Sequence, residues 1–209
     1  METTCGFGAG GLVLGFERRV HQFQSVDAFA AFRILPALRR LGPLEKGWEL
    51  RMRVGLIGVG TMGSAIGMNI LRAGYELVVH DIRPQQVAPH REAGAIVADS
   101  PNQLAQLCEV VLTSLPGPEE VEAVSCGSRG LLQGIGDGKA YFDLSTSSPA
   151  LARRLHAEFL ARNADMLDAP VSGGPYGAAS GRLAMWIGGR EQAYLRHRGL
   201  LESIGDEIW

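Results

Sequence analysis

The sequence predicts an α/β protein built on a doubly wound parallel sheet. Three observations carry that expectation. From residue 53 onward, short apolar runs alternate with longer stretches of helical spacing, as a parallel sheet with crossover helices requires. A glycine-rich turn, Gly58-Val59-Gly60-Thr61-Met62-Gly63, follows the first apolar run and opens the first helical stretch. The 28 glycines among 209 residues fall at turn-like intervals without repeating, which excludes collagen-like and low-complexity chains.

The elements follow in order. Residues 54–57 form a continuous apolar run ending at Gly58, the mark of a strand buried on both faces. Residues 62–73 show helical spacing through Met62, Ile66, Ile70 and Ala73, with Gly74 at the C-terminal end. Residues 77–79 read as a second strand and residues 84–93 as a helix. Ser100 and Pro101 make an N-cap and first-position pair for another short helix. Further strands are expected at 110–115, 140–142, 166–167 and 183–187, with helices at 118–124, 149–162 and 191–204. Ser147 or Ser148 is expected to cap the helix that Pro149 begins.

The first 51 residues read differently. Residues 1–15 are glycine-rich and nearly uncharged, without the positive start of a secretory signal. Residues 26–41 have amphipathic spacing through Val26, Phe29, Ala30 and Leu38, interrupted by Pro36. Glu17, Asp27 and Glu45 argue against an organelle transit peptide. Residues 1–51 are therefore expected to be an extension outside the fold, with one domain over 52–209.

Composition narrows the partners. With 46% hydrophobic and 20% charged residues the chain is ordinary for a globular protein. A net charge of −2 offers no electrostatic ground for nucleic acid or an acidic membrane surface. No apolar run approaches the ~20 residues that span a bilayer. Cys5, Cys108 and Cys126 are odd in number and form no CxxC pair, so neither a disulfide framework nor a zinc site is indicated; a reducing, cytoplasmic compartment is expected.

Each position of the glycine turn has a physical task. Gly58 permits a tight turn, Gly60 lets backbone approach a pyrophosphate, and Gly63 lets helix and strand pack closely. The N–H groups of the helix start, with its positive potential, suit phosphate. GxGxxG alone is a weak pattern. Here it follows a strand, opens a helix, and precedes Asp81 at about the ~20-residue spacing of a ribose-binding acid. The turn is thus expected to hold a dinucleotide in a Rossmann-type domain. Asp81 would accept from both ribose hydroxyls and repel a 2′-phosphate, favouring NAD over NADP, although Arg83 partly offsets that repulsion.

Four stretches in turn resemble the β-hydroxyacid dehydrogenase family, which includes 3-hydroxyisobutyrate dehydrogenases and tartronate semialdehyde reductases. They are GLIGVGTMGSAIGMNILRAGY (55–75), SLPGPEEVEAV (114–124), DLSTSSP (143–149) and DAPVSGGPYGAASGRLAMWIGG (168–189). The resemblance implies hydride transfer between a nicotinamide and a small 3-hydroxy acid. It implies that Leu115 and Pro116 border the cofactor, that Thr146 sits by the nicotinamide, and that Ser145 lies near the reacting carbon. It also implies that Ser172, Gly173 and Gly174 bind the substrate carboxylate, a chemistry that a hydroxyl and successive glycine N–H groups suit. Trp186, where the family usually has methionine, is expected to pack within a strand.

The same resemblance exposes a departure. The family's catalytic lysine belongs to a GxxxKxxxN-type motif on a helix, and nothing in this chain fits it. The two lysines, Lys46 and Lys139, read as solvated surface charges, so no catalytic residue is assigned. The five histidines read as structural or surface residues. The family's helical C-terminal domain is likewise expected to be absent, leaving a truncated domain of little activity that self-associates through uncovered apolar surface. Two alternatives stand beside this: a non-catalytic module that binds NAD(H) or docks a partner, and a 6-phosphogluconate-dehydrogenase-like domain, for which no basic cluster is found.

Overall fold

The computed structural model describes residues 52–209; the helix expected at 26–41, the rest of the extension and Lys46 lie outside the described residues. The described chain begins with β1 (Arg53–Ile57), α1 (Thr61–Arg72), β2 (Glu76–His80), α2 (Pro84–Glu92) and β3 (Ile96–Val97). It continues through α3 (Pro101–Leu107), β4 (Val110–Thr113), α4 (Pro118–Cys126), β5 (Ala140–Asp143), α5 (Pro149–Leu160) and β6 (Asp165–Asp168). These six strands form one sheet in the order β3-β2-β1-β4-β5-β6, every pairing parallel. The doubly wound sheet is as expected, and its order reverses between β1 and β4, where such sheets bind ligands.

Alternate residues of the central strands feed opposite cores although nearly all are apolar. Val54, Leu56, Val110, Leu112, Ala140 and Phe142 pack on the α1 side, joined by Ile66 and Ile70 of that helix. Val111 and Tyr141 face the other way, onto Leu104 of α3, Val121 of α4, and Leu155 and Phe159 of α5. Tyr141 and Phe159 stack with ring centroids 4.8 Å apart. Helix starts follow their caps. Ser100 Oγ accepts from Gln103 N at 3.2 Å, and of the two serines before Pro149 it is Ser148 that caps, accepting from Leu151 N at 3.2 Å.

The last forty or so residues differ from the expectation. β7 (Val171–Ser172), α6 (Gly174–Ser180), β8 (Leu183–Met185), α7 (Glu191–Glu202) and β9 (Gly205–Ile208) build a second sheet, β7-β8-β9, beside the first. β7 and β8 are antiparallel, and β8 and β9 are parallel. The residues expected as a sixth parallel strand, 183–187, thus serve the small sheet, which reaches the large one through a bridge from Asp168 to Gly188. Trp186 lies just past β8 and is half-exposed rather than packed within a strand. Lys139 is also not simply solvated. Its Nζ donates to the Ala105 and Gln106 carbonyls at 2.6 and 2.8 Å, closing the C-terminal turn of α3. Partial burial there pulls its ammonium pKa down.

Candidate functional site

A cleft of about 860 Å³ opens at the C-terminal ends of β1, β2 and β4. The glycine turn forms its floor. Gly58 adopts φ +84°, and its N–H donates to the His80 carbonyl at 3.0 Å, locking β1 to β2 where both end. A Cβ on Gly63 would overlap the Gly58 carbonyl oxygen, so only glycine lets α1 sit this close behind the turn. A Cβ on Gly60 would meet nothing nearer than the Arg83 guanidinium at 3.3 Å, so the missing side chain leaves backbone open to the cleft. No side chain caps α1, and its first turn holds no acidic residue. The helix start therefore presents its N–H groups and positive potential to the cleft, as a diphosphate requires.

Asp81 closes one side. Its Oδ2 accepts from Val59 N at 3.0 Å and its Oδ1 from Arg83 N at 2.9 Å. Oδ2 keeps a lone pair for a ribose hydroxyl, while Oδ1 is shared with the Arg83 side chain. Arg83 Nε stands 3.4 Å from Asp81 Oδ1, with the guanidinium half in solvent. Val59 itself is fully buried and reaches the site only through its N–H. The other expected cofactor residues of this region, Gly58, Gly60, Thr61, Met62, Gly63, Asp81, Leu115 and Pro116, all line the cleft.

The sequence reading missed the outer wall. Ile82 is 88% exposed and lines the cleft directly after the acid. Val124 and the loop of residues 127–130 complete that wall. The only signals were the position after the strand-end acid and the Gly127-Ser128-Arg129-Gly130 bracket, whose glycines admit no Cβ without meeting backbone.

The expected substrate residues lie outside the cleft wall, at the ends of β5 and β7. Ser145 is buried; its Oγ accepts from Leu115 N and its N–H donates to Asp143 Oδ1, both at 3.0 Å. Thr146, the next residue, is exposed. Ser172 ends β7, Gly173 turns the chain at φ +130°, and Gly174 opens α6 at φ +59°; all three are exposed. The segment is thus a strand-to-helix junction. Asn69 fastens it to α1, donating from Nδ2 to the Ala178 carbonyl of α6 at 2.7 Å.

Electrostatics vary across the C-terminal sheet edge. Asp143 is buried, and desolvation pushes its carboxyl pKa up, against the pull of hydrogen bonds from Ser145 and Thr113. Asp168, its register partner on β6, is raised by burial first and by the charge of Asp143 second. Lys139 precedes β5 and so lies at the opposite, N-terminal edge of the sheet. Among the described residues no cluster of three or more metal-ligating side chains exists, and no helix is long and apolar enough to cross a membrane.

A parallel sheet reversing between β1 and β4, a glycine turn under a helix start, and an acid at the end of β2 define a Rossmann dinucleotide-binding domain. Comparison with known proteins places the chain more closely: it belongs to the family described as the NAD binding domain of 6-phosphogluconate dehydrogenase, matched over residues 53–209. Among curated relatives, the probable mitochondrial 3-hydroxyisobutyrate dehydrogenase of Dictyostelium discoideum is 37% identical over 155 residues, covering 74% of this chain and 48% of that one. Among solved structures, the Mycobacterium tuberculosis 3-hydroxyisobutyrate dehydrogenase with L-serine superposes with TM-score 0.71 at 31% identity, over 77% of this chain and 54% of that one. Psf3 in complex with NADP+ and 2-OPP also reaches TM-score 0.71, at 35% identity, over 74% of this chain and 55% of that one. The chain spans about half the length of the relatives it matches. It is an NAD(P)-binding domain, similar to the corresponding part of 3-hydroxyisobutyrate dehydrogenases.

Proposed function

We propose that residues 52–209 hold NAD, in preference to NADP, for an oxidoreductase that moves a hydride between the nicotinamide and a small 3-hydroxy acid. The observation that carries this reading is the cleft whose floor is Gly58, Gly60 and Gly63 and whose side is Asp81. The turn N–H groups and α1 hold the diphosphate, and Asp81 takes the adenosine ribose. The negative charge of Asp81 disfavours a 2′-phosphate, and Arg83, already paired with it, offsets this only in part. Leu115 and Pro116 border the nicotinamide end, with Thr146 beside it.

When bound, the nicotinamide supplies the hydride acceptor or donor; the protein binds, orients and excludes water. Ser172, Gly173 and Gly174 offer an exposed hydroxyl and glycine backbone to the substrate carboxylate. Ser145 lies near the reacting carbon. Among the described residues no lysine stands at this edge, so this chain alone turns over little. The relatives named for 3-hydroxyisobutyrate, and the solved structure holding L-serine, support a small hydroxy acid. The free Cys108 and Cys126 support a reducing compartment, with the cytoplasm as the expected one.

Calorimetric titration of the 209-residue chain with NADH, NADPH and ADP-ribose tests the reading. Binding of NADH and ADP-ribose, with NADPH weaker, is expected. No heat from any of the three on folded protein would leave only a scaffold.

A further inference from the structure

A buried chain of polar groups runs behind the ligand edge of the sheet, and none of them lines the cleft. Tyr141, Thr113 and Asp143 sit side by side on β4 and β5, all essentially fully buried. A carboxylate only accepts, so the Thr113 hydroxyl donates to Asp143 Oδ1 at 2.8 Å, and Tyr141 donates in turn to Thr113 Oγ1 at 2.9 Å. The same Oδ1 receives the N–H of Ser145, whose Oγ receives the N–H of Leu115, each at 3.0 Å. Four links therefore join the floor of the sheet to the two loops that leave β4 and β5.

Two features set this arrangement apart from routine packing. Among the described residues Asp143 has no cation within ion-pair distance; hydrogen bonds alone hold its carboxylate in the interior. Burying such a group is costly, and apolar packing would hold two loops more cheaply. Second, Ser145 serves both loops at once: its Oγ accepts the Leu115 N–H while its own backbone N–H donates to Asp143.

We propose that Asp143 is a positioning residue: acting through Ser145 and Leu115, with Thr113 as its anchor, it sets the nicotinamide end of the site without touching cofactor or substrate. This rests on the dinucleotide reading above. Asp143 Oδ1 holds the Ser145 backbone, Ser145 Oγ holds the Leu115 backbone, and the two loops move as one. The adenine end, built on the Gly58–Gly63 turn and Asp81, shares none of these links.

That separation supplies the test. NADH and ADP-ribose affinities are measured by calorimetry on the full chain and on Asp143→Ala, Thr113→Val and Asp143→Asn, with thermal unfolding recorded for each. Asp143→Ala is expected to weaken NADH about tenfold while ADP-ribose stays within about twofold, the loss of a hydrogen-bonded loop position at one end only. Thr113→Val, a gentler change, is expected to show the same selectivity at about threefold. Asp143→Asn keeps an acceptor oxygen for both donors and should restore NADH affinity. A lower melting temperature with both ligands weakened equally, or with NADH unchanged, in every variant that folds would overturn the proposal. A wild-type chain that binds neither ligand would instead overturn the dinucleotide reading, and this one with it.

Discussion

Asp81 Oδ2 accepts the backbone N–H of Val59 at 3.0 Å, joining the end of β2 to the middle of the glycine turn. One carboxylate thereby shapes the phosphate loop and faces the cleft where a ribose would lie. Asp81→Ala should lower NADH affinity by about ten- to a hundredfold, because hydrogen bonds to a charged group are worth ~1.5–3 kcal/mol. It should also narrow the gap between NADH and NADPH, since Arg83 is released to face a 2′-phosphate. Parallel titrations with both nucleotides check this; a variant that keeps the wild-type ratio would show that Asp81 does not set the preference.

Gly63 and Gly136 make opposite predictions from the same substitution. A Cβ at Gly63 would collide with the Gly58 carbonyl, so Gly63→Ala should cost roughly 3 kcal/mol or prevent folding. At Gly136 a Cβ meets nothing within 4 Å and φ is not positive, so Gly136→Ala should be neutral or stabilise by up to ~1 kcal/mol. Urea unfolding of both variants provides the comparison.

His197 predicts acid sensitivity. It is buried on α7, edge-on to Phe142 with centroids 5.3 Å apart, and neither ring nitrogen has a hydrogen-bond partner. Burial, reinforced by Arg196 and opposed by Asp165, pulls its pKa down to about 4. An unfolded histidine titrates near ~6.5. Above that value both states are neutral and nothing is lost. As pH falls from there through about 4, the unfolded chain takes up a proton the folded one resists. Stability should therefore drop across that window, by at most roughly 3 kcal/mol. His197→Leu should flatten that part of the profile, measured by unfolding at a series of pH values; an equally steep profile would place the acid sensitivity elsewhere.

Trp209 lies opposite Trp186. Its N–H donates to Met185 O at 3.0 Å and its carbonyl accepts from Ile187 N at 2.9 Å, which sets the two residues opposite each other beside the small sheet. Both are at least half exposed, as is Tyr176 on α6. Exposed aromatic side chains of this size favour association. The chain should show concentration-dependent self-association by sedimentation, reduced in Trp186→Ser/Trp209→Ser. A monomer at all concentrations would refute this.

The fold was legible where local physics is strong. The apolar runs at 54–57 and 110–113, the spacing of Ile66 and Ile70, and the Ser100-Pro101 and Ser148-Pro149 starts each state their element within a few residues. The missed pieces are short or carry contrary residues. Ile96–Val97 and Val171–Ser172 are too brief to show a period, and α6 begins Gly174-Pro175, which reads as a turn. Its helix exists because Ala178 is buried against α1 and held by Asn69, a contact 109 residues away in sequence.

The sequence alone determined the sheet, the glycine turn and the acid that serves it. These depend on neighbours in the chain: backbone sterics at glycine, strand alternation, and a fixed step from turn to acid. Only the tertiary structure decided which strands join the small sheet, that Ile82 and residues 127–130 wall the cleft, that Lys139 clasps α3, and that Asp143, Ser145 and Leu115 are linked. Those facts depend on groups far apart in the chain being brought within hydrogen-bonding distance, a condition set by packing rather than by local sequence pattern.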